Sequence, residues 1–213
     1  MRRVTVRLAG ALLLSLIPWI SQAQDFSADV VYFAPAKAQA SSVASNNPSG
    51  HTSKLYVSKD KMRLETRGVT GTILLVNDSE HSVMALFPSQ KAYQPLANPP
   101  AEYFRVKDAE NACPDWTEAT VQKIDCAKVG HETVNGRDTV KYQNKAPSGD
   151  GPTAVWIDPA LKFVVKWESP ETGAELRNVN EAPQAADLFA VPTAYNPMQP
   201  KKASSKGFSK RSH

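Results

Sequence analysis

The chain has 213 residues, 41% of them hydrophobic, with 16 prolines, 10 glycines and two cysteines, which fits one domain with a sizeable core and many turns. Its formal charge of +4 belongs to its ends: three Arg in residues 1–23 and five Lys or Arg in 201–213 have no acid beside them, and the 17 basic residues that remain face all 21 acids. Residues 24–200 therefore carry about −4 and show no basic patch, which argues against a nucleic-acid groove on the fold itself.

In chain order, Arg2, Arg3 and Arg7 lead into the apolar stretch LAGALLLSLIPWI, and Ser21-Gln22-Ala23 supplies the small residues a signal peptidase reads. This predicts a cleavable secretory signal over 1–23, a mature domain over 24–200 exported to the periplasm, and a basic, solvated tail over 201–213. The tail has the charge for weak contact with an anionic envelope surface.

Short runs of alternating hydrophobicity dominate the domain. SADVVYF (27–33), TSKLYVS (52–58), MRLET (62–66), TILLVN (72–77), HSVMALF (81–87) and KAYQPL (91–96) read as strands, the first two separated by a small, polar loop over 36–50. TILLVN is apolar on both faces, as a covered central strand is. NPPAEYFRVKDAENA (98–112) is the best helix candidate in the domain. Then come the cysteine segment, with the hairpin turn Asn135-Gly136, and DTVKYQN (138–144). TAVWID (153–158), KFVVKWES (162–169) and GAELRNVN (173–180) follow as a meander, and QAADLFAVP (184–192) reads as one helical turn that pins Leu188 and Phe189 to the sheet. The expected fold is mainly β: about ten or eleven antiparallel strands and one or two short helices, with no strand-helix-strand alternation. A sheet this wide must curl or close.

Chemistry-bearing motifs are sparse. Cys113 and Cys126, 13 residues apart in an exported chain, fit a structural disulfide better than a redox pair or a zinc site. His51, His81, His131 and His213 are scattered and form no metal-ligand spacing. There is no G-x-S-x-G elbow and no phosphate-binding glycine loop. Asp158, Glu168, Glu175 and Glu181 read as a solvated strand face. No cofactor, metal or catalytic residue is expected, and an enzyme ranks below a binding protein or a structural module.

The apolar residues are more informative. A curved sheet with few helices has difficulty covering its concave face, so two outcomes stay open: the helical segment fills it, or a cavity remains for an apolar ligand. Alternation marks Leu55, Val57, Met62, Leu64, Leu75, Val83 and Phe87, together with Tyr103, Phe104, Trp156, Phe163 and Trp167, as candidates to line it. Alternation does not say which face is concave.

The strings KLYVSKDKMRLE and FPSQKAYQPL, the pattern C-x-x-W…C-x-x-x-G-x-E-x-V-N-G-R, and the end VKWESPETGAELRNVNEAPQAADLFAVP resemble a group of exported bacterial proteins that carry a domain of unknown function. That group is similar to the outer-membrane lipoprotein carrier and lipoprotein-sorting (LolA-like) proteins. The resemblance implies an open, strongly curved antiparallel half-barrel with short lid helices over an apolar cavity. It also implies a partner that is an apolar ligand, such as an acyl chain, or a lipid-bearing protein. Unlike the carriers, this chain enters a strand directly after the expected cleavage site, and no carrier arginine maps to Arg63, Arg67 or Arg105.

Overall fold

The computed structural model describes residues 25–35, 52–66, 71–120, 123–147 and 151–198. The expected signal segment, the polar loop 36–50, Arg67, His51 and the basic tail with His213 lie outside the described residues. Among the described residues, twelve strands form one sheet. They are β1 (Phe26–Phe33), β2 (Ser53–Ser58), β3 (Lys61–Glu65), β4 (Ile73–Asn77), β5 (Ser82–Phe87) and β6 (Ala92–Leu96), then β7 (Cys126–Val134), β8 (Arg137–Asn144), β9 (Ala154–Asp158), β10 (Phe163–Glu168), β11 (Gly173–Asn180) and β12 (Asn196–Pro197). Their order is β12-β6-β5-β4-β3-β2-β1-β11-β10-β9-β8-β7.

Every pairing is antiparallel except the two-residue parallel contact of β12 with β6. The curved sheet does not close: β7 and β12 remain its edges. Because the chain meanders from β2 to β6 and back from β11 to β7, β1 and β11 join the two halves over a long register. Hairpin turns fall where the sequence placed them. At Asn135-Gly136 both φ angles are positive, 49° and 79°, which this residue pair tolerates.

Alternation sends one side chain in two to the concave face. Phe26, Ala28 and Val30 of β1, Leu55 and Val57 of β2, and Met62 and Leu64 of β3 enter a continuous core with Val76, Val140, Phe163, Trp167 and Leu176. The convex face of β3–β5 is also apolar. Leu75 and Leu86 are buried there, cross-strand from Met84 and Ile73, and Arg63 of the same face donates to the carbonyl of Leu188 at 2.9 Å. The C-terminal segment thus crosses this outer side through the 3-10 turn Ala186–Phe189 that the sequence indicated.

The helix does not form where the sequence placed it. Residues 98–112 run as a strap across the concave face, and the one α-helix among the described residues, α1 (Cys113–Ala119), follows it. The backbone explains the difference. The first half of β10 has the strap rather than β11 as its partner: Val106 N–H donates to Lys162 O at 2.9 Å and Val164 N–H to Phe104 O at 3.3 Å. These strand-like bonds occupy groups that a helix would need for its own ladder. Helix α1 starts at Cys113, where Pro114 fits an N-terminal position with no N–H to lose. Trp116, 1% exposed, anchors it in the core. Among the described residues no helix is long and apolar enough to cross a membrane.

Candidate functional site: the cavity beneath the strap

The strap and α1 are fixed from below and from the side. Tyr142, buried on β8, donates its hydroxyl to Ala109 O at 2.8 Å and accepts from Ala112 N–H at 3.2 Å. Cys113 and Cys126 are joined as a disulfide, tying the start of α1 to the start of β7 across a Cα–Cα distance of 5.6 Å. The bond fits an exported protein, since such links persist in oxidising compartments.

Between the strap and strands β2–β5 lies a cavity of about 650 Å³. Its apolar lining comes from Val57, Met62, Val76 and Val83 of the sheet, from Tyr103, Phe104 and Val106 of the strap, and from Phe163. Its mouth is polar. Lys59 and Lys61 come from the β2–β3 turn, Asp78 and His81 from the β4–β5 turn, Arg105 and Lys107 from the strap, and Asp115 and Glu118 from α1.

Arg105 sits where apolar wall and mouth meet. Its guanidinium lies 6.0 Å from the Phe163 ring centroid, and Nη1 donates to Leu161 O at 3.3 Å. Burial lowers its pKa, and the carboxylates of Asp25, Asp78 and Asp60 oppose that shift. Asp78 is largely open to solvent as a residue, yet partial burial of its carboxyl, and then the charge of Asp60, raise its pKa. Asp60 is lowered by a hydrogen bond from Ser79. Deeper in, burial raises the Tyr103 hydroxyl well above its ordinary value. Its ring meets Trp167 edge-on at 6.3 Å. Among the described residues no group of three or more His, Cys, Asp or Glu is placed to hold a metal ion.

Six of the twelve lining candidates from the sequence face this cavity: Val57, Met62, Val83, Tyr103, Phe104 and Phe163. Leu55, Leu64 and Trp167 share the inner face but are packed into the core away from the cavity. Phe87 alternates onto the inner face at the far end of β5 and is half-buried outside the lining. Two candidates point the other way. Leu75 is on the convex face beside Arg63 and Met84, where the C-terminal segment covers it. Trp156 is on the convex face of β9, cross-strand from Lys141 and Lys166, whose ammonium groups lie 4.6 and 4.2 Å from its ring centroid. All five residues of β9 are buried, so the strand carries no alternation from which its inner face could be read.

Sequence reasoning missed the charged mouth. Lys59, Lys61 and Asp78 look like ordinary turn residues, and nothing in the sequence around Arg105 marks it for a role. Only the folded strap brings them to one opening. A second depression of about 550 Å³ is lined by Lys141, Lys145, Glu168 and several prolines.

No protein-family model matches the sequence, and no curated protein matches it. Solved structures do. The chain is similar to an uncharacterized conserved protein from Thermus thermophilus, at 9% identity over 84% of this chain and 91% of that one, with a TM-score of 0.52. It is similar to PNGF-II at 13% identity and a TM-score of 0.52, where the match covers 83% of this chain and only 31% of that one. A putative outer membrane lipoprotein-sorting protein domain from Vibrio parahaemolyticus also matches, at 15% identity over 79% of this chain and 91% of that one, with a TM-score of 0.34. For the first two the likeness is one of fold alone: a mainly β, open, curved sheet.

Proposed function

We propose that the protein is a non-enzymatic binding or carrier protein of the cell envelope, and that it holds an apolar ligand in the cavity beneath the strap. The ligand class is an acyl chain or the lipid of a lipid-bearing protein. One observation carries the reading: a half-open pocket of about 650 Å³, lined by Val57, Met62, Val76, Val83, Phe104 and Phe163, lies between strap and sheet. That size and character fit small-ligand sites, which are concave, mostly apolar and edged by a few polar groups. The alternative, an envelope module with a filled core acting through its surface, leaves this space unexplained.

Export supports the envelope assignment through the signal-like residues 1–23 and the disulfide. The domain of this reading spans 24–200, and the tail 201–213 supplies weak electrostatic contact with an anionic envelope surface. The test is titration of a fluorescent fatty acid into the mature protein and into Val83→Trp, which fills the cavity. Saturable binding that Val83→Trp removes, and that Trp156→Phe on the opposite face leaves intact, is expected. Absence of saturable binding, or equal binding by Val83→Trp, overturns the proposal.

A further inference from the structure

Resting on that reading, we infer that Tyr103 is the floor of the cavity: its side chain sets how far an acyl chain runs inward from the mouth, and so which chain lengths the protein prefers.

The lining stops at one row of the sheet. Val57, Met62, Val76 and Val83 lie side by side across β2–β5, each cross-strand from the next, and all four line the cavity. The next inner row, two residues along each strand, is Leu55, Leu64, Leu74 and Ala85, and none of these lines it. Leu55, Leu64 and Ala85 are nonetheless buried. Successive residues on one face of a strand are roughly 7 Å apart, so the space ends within one such step. A group from outside the sheet must cover the second row.

Tyr103 is the lining residue placed to do this. Its backbone is fixed on both sides: its own N–H donates to Pro100 O at 3.3 Å, and the carbonyl of Phe104 accepts from Val164 N–H at 3.3 Å. Tyr103 lines the cavity, while its ring meets Trp167 edge-on at 6.3 Å, and Trp167 belongs to the core beyond the lining. Trp167 and Tyr32 are both cross-strand from Ala174, and both act on the Tyr103 hydroxyl. Alternation puts Tyr32 on the same face as Phe26, Ala28 and Val30. Phe26 starts β1 opposite Val57, in the cavity row, and Tyr32 lies at the far end of the strand, 41% exposed. Tyr103 thus stands across the inner face, with the cavity on one side and Trp167 and Tyr32 on the other.

Packing holds this side chain. Among the described residues no group meets its hydroxyl at hydrogen-bond geometry, although Trp167 and Tyr32 stand near enough to influence it. Removing the hydroxyl alone therefore leaves the floor in place. Removing the ring opens the way from the first inner row toward Trp167.

The experiment measures affinities of the mature protein for the even-numbered saturated fatty acids from octanoate to stearate, by displacement of a fluorescent fatty acid. The series is repeated on Tyr103→Phe, Tyr103→Leu and Tyr103→Ala. In the unmodified protein affinity should rise about fourfold for each methylene buried, then level off at the length whose end reaches Tyr103. Tyr103→Phe should level off at the same length. Tyr103→Ala should keep rising for at least one further acid of the series, a gain of about tenfold or more at that length, with Tyr103→Leu between. A rise without a break up to stearate in the unmodified protein overturns the assignment even if no variant folds. A break at the unmodified length in Tyr103→Ala, or in Tyr103→Leu if the alanine variant does not fold, overturns it too, because a loss of stability lowers affinity without moving the break. In these cases binding of an acyl chain itself survives. Failure of every acid to bind removes the underlying reading as well.

Discussion

The indole N–H of Trp156 donates to Glu132 Oε2 at 2.6 Å across the convex face of the sheet. Lys141, cross-strand from Trp156, pairs with the other oxygen of the same carboxylate at 2.9 Å. A tryptophan 2% exposed on the outside of a curved sheet is thus roofed by Lys141 and Lys166, whose ammonium groups lie over its ring.

That arrangement predicts an acid-sensitive signal. The Trp156 hydrogen bond first, and that of Lys141 second, lower the pKa of Glu132 below the ordinary glutamate value. A carboxylate depressed in the folded state stabilises the fold above its unfolded pKa, and that stability is lost as pH falls through the folded pKa. Trp156 fluorescence should therefore change in a step below the usual glutamate range, and Glu132→Gln should abolish the step. Glu132→Ala leaves a buried indole N–H without its acceptor and should destabilise by about 1–3 kcal/mol, read by urea unfolding.

The disulfide constrains the joint between α1 and β7. Its sequence separation of 13 corresponds to about 3 kcal/mol in the chain-entropy account, with the melting temperature falling by several degrees on reduction. Thermal melts with and without reductant check this. An unchanged melting temperature contradicts the role of the bond as a staple.

Gly173 has no room for a side chain. A Cβ there would lie 2.6 Å from the Phe33 ring and 2.8 Å from the Trp167 carbonyl oxygen. Gly173→Ala should destabilise by about 1–3 kcal/mol through overpacking. Because Phe33 lies directly cross-strand from Gly173, the penalty should shrink, though not vanish, in a Phe33→Ala background. Equal penalties in the two backgrounds would place the strain in the backbone contact alone.

Tyr142 holds the strap through two backbone hydrogen bonds, to Ala109 and Ala112. Tyr142→Phe keeps the ring but leaves a buried N–H and a buried carbonyl without partners, at a loss of about 1–3 kcal/mol. The loss should be local, so hydrogen exchange should quicken over 105–119 before it quickens in β2–β5.

The strands could be read because their turns and alternation agree. β2 and β3 show one buried residue in two, and eleven of the twelve strands fall on runs visible in the sequence. Three features were less legible, each because a tertiary partner decided it. The strap contains Tyr103, Phe104 and Val106 at spacings that fit a helix turn, but Val106 N–H donates to Lys162 O and Phe104 O accepts from Val164 of β10. Leu75 looks like a lining residue until the C-terminal segment is seen on the other face. β12, only Asn196–Pro197, exists because β6 offers an edge: Asn196 N–H reaches Lys91 O and Met198 N–H reaches Tyr93 O. The cavity was expected as one of two outcomes, while the cations at its mouth come from turns and a strap that only the fold brings together.

The most direct test of the binding account is native mass spectrometry of the mature protein, purified from the cells that make it, followed by extraction and identification of any lipid. The account predicts a one-to-one acyl-bearing adduct that Val83→Trp lacks. A clean apo mass that does not shift when palmitate or lysolipid is added would contradict it.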